Sequence, residues 1–185
     1  MLCSISLISY GQLKIDSLYE NKNEFLIYSK IVKFDSLSIA ELNKRIKNWA
    51  GLKFVNMKDV LVSETTDQLV FNYITSSFFG YYKVPFKSQK QITKIDWYIR
   101  MVIQMKDNRI RILFFDDGNA FMQGSEGFPS TPSRQFKLAN YFKKDGTCHE
   151  NYNDGMINLK NELINTVNDL FNSIILGGVK KGDDW

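Results

Sequence analysis

Between Trp97 and Met105 the side chains alternate without a break. Trp97, Ile99, Met101, Ile103 and Met105 fall on one side, and Tyr98, Arg100, Val102 and Gln104 on the other. A period of two marks a strand with one face in a core and the other at least partly wet. Asp107 and Asn108 then supply a two-residue turn, and Ile110, Ile112 and Phe114 carry the apolar face onto a returning strand. This hairpin anchors a sheet. From Glu24 to Val32, Phe25, Ile27 and Ile31 lie on one face and Leu26, Tyr28 and Val32 on the other, which predicts a strand at least partly covered on both sides. The run Asp59 to Ser63 is short and β-branched, Thr65 to Asp67 make a turn, and Gln68 to Phe79 alternates again through Leu69, Phe71 and Tyr73. Gly80 to Gln91, with Pro85 and several lysines, reads as an edge or a loop.

Two segments change period. Ser38 followed by Glu41 forms a capping-box pattern, after which Ile39, Leu42, Ile46 and Trp49 recur at helical spacing until Gly51 supplies a stop. Lys44, Arg45 and Lys47 occupy the opposite, solvated face. From Asp154 onward Ile157, Leu163, Ile164, Val167, Leu170, Phe171, Ile174 and Ile175 build a second amphipathic helix, ended by Gly177 and Gly178. Between the hairpin and this helix, Asp116 to Asn153 breaks all periodicity and reads as an irregular insertion or loop, either functional or hiding short elements. The order β-α-β-β-β-β-α predicts an α+β domain. Its cheapest architecture is a curved antiparallel sheet of about five strands with two helices packed on one face.

At 185 residues, 44% hydrophobic and 24% charged, the chain suits one core and one domain, residues 12–178, followed by a tail at 179–185. Lysine and arginine number 24 against 20 acids, and the net charge of +4 is spread through the chain. No basic block interleaved with aromatics occurs, so nucleic acid is not an expected partner. The first eleven residues carry no charge and run through Ile5, Leu7 and Ile8 to Ser9, Tyr10 and Gly11, which fits the remnant of a signal peptide cleaved before Gln12. With no basic leader before this run, the written start is expected to lie inside the true signal. The expected address is the periplasm or cell envelope. Cys3 would leave with the signal, so Cys148 would stand alone and an internal disulfide is excluded. No other stretch approaches the roughly 20 apolar residues of a membrane span, so the mature chain is expected to lack one.

The segment Ile31 to Val62, above all Ser38-Ile39-Ala40-Glu41-Leu42 and Trp49 followed by Phe54, together with the strand Tyr98 to Lys106, resembles the domain of unknown function 4468 family. That resemblance covers about half the chain. It implies a TATA-binding-protein-like (TBP-like) fold in exported proteins of Bacteroidetes and brings no catalytic residues with it. The segment Asp116 to Asn153 departs from the shorter family layout. A shared architecture with TATA-binding protein does not license a shared function.

Candidate chemistry is sparse. Cys148 beside His149 is the one pairing with nucleophilic potential, yet adjacent residues usually point apart, and a metal site would have to add Glu150 and Asp154 to them. Asp116-Asp117-Gly118-Asn119 lacks the alternating oxygens and closing glutamate of a calcium loop and reads as a turn. Gly124-Ser125-Glu126-Gly127 lacks the glycine two places before serine that a nucleophile elbow needs. No catalytic residue, cofactor or metal is therefore expected. Two groups could instead form an interaction surface. Phe78, Phe79, Tyr81, Tyr82 and Phe86 crowd a short stretch, and Arg100, Arg109 and Arg111 could line the outer face of the hairpin and attract acidic groups. The expected role is a non-catalytic binding or structural module whose partner is a protein. The alternative is a carrier of a small apolar ligand held between sheet and helices.

Overall fold

The computed structural model describes residues 25–83, 90–122, 141, 143, 147–149 and 153–177, with side chains described over 26–77, 94–116, 141, 143, 147–149 and 154–177. Five strands, β1 (Phe25–Lys33), β2 (Leu61–Glu64), β3 (Gln68–Lys83), β4 (Lys90–Lys106) and β5 (Arg109–Met122), form one antiparallel sheet in the order β1-β5-β4-β3-β2. Helices α1 (Ile39–Lys53) and α3 (Asn153–Ile175) cover one face, and a single helical turn, α2 (Met57–Val60), leads into β2. The predicted α+β layout is present.

The core lies where the period-two and helical stripes meet. Trp97, Ile99, Met101, Ile103 and Met105 of β4 pack with Ile110, Ile112 and Phe114 of β5 and Leu69 and Phe71 of β3. Leu42, Ile46, Trp49 and Ala50 of α1 close on them from above, with Met156, Leu159, Leu163, Val167, Leu170 and Ile174 of α3. Each such side chain stabilises the fold by about 1.5–3 kcal/mol on burial. At the end of α1, Phe54 meets the Trp49 ring edge-on at 5.8 Å and stacks on Phe71 at 6.1 Å.

The ends of the helices are held by side chains. The Glu41 backbone N–H donates to Ser38 Oγ at 3.3 Å, which forms one half of the predicted capping box. The Glu41 carboxylate turns away from the cap and accepts from Arg45 Nε at 2.8 Å, and this bond holds its carboxyl below the usual carboxylate range. Arg45 was expected to be solvated, but its Nη1 also donates to the Ile174 carbonyl at 2.6 Å. A cation thus sits at the carbonyl end of α3, on a carbonyl that also accepts from the Gly177 N–H at 3.3 Å. Gly177, at φ +70°, takes the left-handed conformation that closes that helix.

Several boundaries differ from the sequence expectation. α1 passes through Gly51 and stops at Phe54, because Ala50 is buried and the Phe54 N–H bonds to its carbonyl. The strand expected from Asp59 begins at Leu61, since Asn56 caps a helical turn through its bond from the Lys58 N–H. Gly80 to Gln91 is not a loop throughout: β3 continues to Lys83 and β4 starts at Lys90, paired with each other. β5 likewise runs past Asp116 to Met122, and the register jumps from Ile99–Asp116 to Trp97–Ala120. The turn read at Asp116 to Asn119 is therefore a bulge inside a strand, where extra residues bow out against β4. In β1 a register break between Leu26 and Tyr28 moves Leu26 to the outer face and packs Ile27 against the core beside Tyr28.

The segment treated as an irregular insertion also contributes to the core. Tyr141 meets Trp97 edge-on at 6.0 Å, and Cys148 is fully shielded from solvent. Backbone bonds from Lys143 to Thr147 and from His149 to Tyr141 fold this piece back on itself.

Candidate functional site

An antiparallel sheet needs only one face for its core. The face opposite the helices is ordered by strand register into rows. Lys33, Arg109 and Lys106 lie side by side at one end, followed by Ile31, Arg111, Gln104 and Gln68. Next come Ser29, Leu113, Val102 and Val70, and then Leu26, Phe115, Arg100 and Asn72. Tyr98 beside Ile74 and Asp96 beside Ser76 come next, with Lys94 paired to Phe78 beyond them and Ser63 of β2 beside Val70. Four cations are thus gathered at one end of a band of apolar side chains. Asp96 is the one acid among the described side chains of this face, and it accepts a hydrogen bond from the Ser76 hydroxyl.

The structure brings Arg109 and Arg111 together, both exposed and joined by Lys33 and Lys106 from neighbouring strands. It sets Arg100 apart, beyond the Leu113–Val102 row, with its guanidinium carbon 5.7 Å from the centre of the Phe115 ring. A cation over an aromatic face is held by the ring quadrupole as well as by water. Lys33 and Lys106 were not singled out from the sequence, because only cross-strand register reveals that they share a row with Arg109. The side chains of Phe78, Phe79, Tyr81 and Tyr82, and all of Phe86, lie outside the described residues.

A cleft of about 700 Å³ opens at the margin of the sheet, where the chain leaves α1 and turns into β2. Phe54, Val55, Val60, Asn56 and Asp59 form one wall, and Asn72, Tyr73, Ile74, Tyr98 and Ile99 the other. Asn72 Oδ1 is buried there without a hydrogen-bond partner. The Tyr73 hydroxyl faces Thr166 on the core side without a bond of normal geometry, Thr166 itself donating to the Glu162 carbonyl at 3.0 Å. Burial pushes the Tyr73 phenol well above its ordinary range.

Cys148 and His149 do not form a nucleophile and base. The thiol donates to the His149 backbone carbonyl at 3.5 Å, whereas the His149 side chain is exposed. Shielding from water pushes the thiol up to about 11, with Lys143 opposing the shift, so it is protonated near neutral pH. Among the described residues no three His, Cys, Asp or Glu side chains stand close enough to hold a metal ion.

No protein-family model matches the sequence, and no curated protein does. Solved structures do match it in three dimensions. A TBP-like protein from Parabacteroides distasonis superposes with a TM-score of 0.57 at 14% identity, covering 85% of this chain and 96% of its own. The fold is TBP-like. A DUF4468 family protein from Bacteroides ovatus superposes with a TM-score of 0.52 at 9% identity over 93% of this chain and 95% of its own. These likenesses support the resemblance to domain of unknown function 4468, and at such identities they speak to architecture alone. Among the described residues no helix packs on the other face of this sheet, where Leu26 and Leu113 are nevertheless buried. Among the described residues no helix is long and apolar enough to cross a membrane.

Proposed function

We propose that this chain is a non-catalytic binding module of the cell envelope, acting through the face of its sheet opposite the helices on a protein partner that presents acidic groups beside an apolar surface. The observation that carries this reading is the register that sets Lys33, Arg109, Lys106 and Arg111 side by side next to Leu113, Val102 and Val70. Like charges across neighbouring strands destabilise a sheet, so a gathered row is costly unless an anion offsets it. Of the adjoining apolar side chains Val102 and Val70 are half-buried and supply contact area, whereas Leu113 is buried; Arg and aromatic side chains such as Arg100, Phe115 and Tyr98 are the types that anchor interfaces. The envelope address rests on the uncharged apolar run Met1 to Gly11.

The test is in the native host. The full gene is expressed, the cell is fractionated, and the partner is identified by cross-linking from the sheet face and mass spectrometry. Charge reversal by Arg109→Glu with Arg111→Glu is expected to abolish the cross-link while the circular dichroism stays unchanged. Recovery in the cytosol with its first eleven residues intact overturns the address, and a cross-link that survives charge reversal overturns the surface. A co-purified apolar molecule in native mass spectra would favour the carrier instead.

A further inference from the structure

The sheet has two outer strands and a third that is only partly covered. β1 is interrupted by the break at Leu26–Tyr28 and carries Lys30 and Lys33, and β2 is four residues long and ends in Glu64. Short length, lysines and irregularities are devices by which edges avoid pairing with other chains. β3 lacks such protection between Asn72 and Phe79. β2 pairs only with Leu69, Val70 and Phe71, while β3 continues in unbroken register with β4 to Phe79. From Asn72 to Phe79, about 26 Å at about 3.3 Å per residue, no strand pairs its other edge among the described residues. No charged residue occurs between Gln68 and Tyr82.

The cleft opens at the start of this unpaired stretch. It offers Phe54, Val55, Val60 and Ile74 as apolar surface, Val55 fully exposed and Ile74 54% exposed, together with the unpartnered Asn72 Oδ1. We propose that the β3 edge from Asn72 to Phe79 and the adjoining cleft receive an extended polypeptide segment that adds a strand to the sheet and seats an apolar side chain between Phe54, Val60 and Ile74. A peptide meets both demands at once. Its backbone supplies alternating donors and acceptors to the edge, and its N–H or C=O completes the Asn72 amide in either orientation. A small apolar molecule would fill the cleft and leave the edge unpaired. A second copy fits less well, because α3 lies on β3 more than on any other strand, so pairing two β3 edges would bring two such helices together.

This inference is independent of the sheet-face reading. The probe is a synthetic peptide of alternating threonine and valine with a lysine at each end, compared with the same peptide N-methylated at alternate residues so that one edge cannot donate. With the full chain, the unmodified peptide is expected to slow amide exchange across 72–79 and to shift the Phe54, Val60 and Ile74 resonances saturably, and the N-methylated peptide to do neither. Asn72→Leu should weaken binding about five- to tenfold, and Arg109→Glu with Arg111→Glu should leave it unchanged. Equal binding of both peptides, no binding, or amides at 72–79 already protected in the protein alone each overturn the proposal. Protection that rises with protein concentration alone would assign the edge to a second copy, and overturns it too.

Discussion

Asn108 and Leu37 hold each other by two hydrogen bonds: the Leu37 N–H donates to Asn108 Oδ1 at 2.8 Å, and the Asn108 N–H donates to the Leu37 carbonyl at 2.8 Å. The tip of the central hairpin is thereby tied to the approach to α1. Asp107 adds a bond from the Ile39 N–H at 3.1 Å, and Phe34 donates to the Asn108 carbonyl at 2.8 Å. Asn108 does this at φ 62°, in the left-handed region that asparagine tolerates better than most residues. Asn108→Ala loses the side-chain acceptor and keeps the strained backbone, whereas Asn108→Gly loses only the acceptor. Urea unfolding should therefore show a loss of about 2 kcal/mol for alanine and about 1 kcal/mol for glycine. Equal losses would mean that backbone strain plays no part.

The Trp97 indole N–H donates to Ser77 Oγ at 2.9 Å inside the core. Ser77→Ala strips that bond from a buried donor and should cost about 1–3 kcal/mol. Trp97→Phe removes the donor, leaves the hydroxyl behind, and also loses ring area against Tyr141. The double variant no longer leaves half a bond buried, so its cost should fall below the sum of the two single costs by about 1 kcal/mol in a double-mutant cycle. Strict additivity would remove the bond from the account of this core.

The alternation around Trp97 to Met105 was legible because a half-buried strand forces it, and the helical stripes of α1 and α3 were legible for the same reason. Local breakers misled. Gly51 lies inside α1, where tertiary burial of Trp49 and Ala50 carries the helix past it, and Gly118 and Asn119 lie in a bulge that a one-dimensional pattern reads as a turn. At the candidate site, Arg100, Arg109 and Arg111 could be assigned to the outer face by alternation alone. Arg109 and Arg111 are two apart on one strand, whereas the place of Arg100 over Phe115 and of Lys33 beside Arg109 depends on strand pairing, which is not local information. The cleft depends on where β2 stops, and that was hidden by the helical turn at Met57–Val60.

The arginines of the sheet face should differ in what they contribute to stability. Arg109 and Arg111 are exposed, and replacing either by alanine should change the unfolding free energy by less than about 0.5 kcal/mol. Relieving the crowded row could make the sign favourable. Arg100 is half-buried and lies over Phe115, so Arg100→Ala should cost about 1 kcal/mol through lost packing and cation–π contact. Thermal unfolding of the three variants side by side checks the ranking. A loss at Arg111 equal to that at Arg100 would contradict it.

Cys148 makes the alkaline stability of the fold a specific expectation. Its thiol ionises at about 11 in the folded chain against an ordinary value of 9.0, chiefly because it is shielded from water. Between those values the unfolded chain has released its proton while the folded chain retains it, so stability must fall as pH rises through that window and be unaffected by this group below it. Burial of Tyr73 and Tyr28 raises their phenols too and adds to the fall at the upper end. Cys148→Ala removes the thiol's share. Urea midpoints measured from pH 8 to pH 11 should decline less steeply for that variant than for the parent chain, even though the lost side-chain volume lowers its stability at pH 8. Thiol-reagent kinetics give a second reading, because the difference between parent and variant isolates Cys148 from Cys3, and that component should react only as fast as the fold opens. A rapid Cys148 signal at pH 8 in the folded protein would show the sulfur to be open to water and would remove the basis for the alkaline decline.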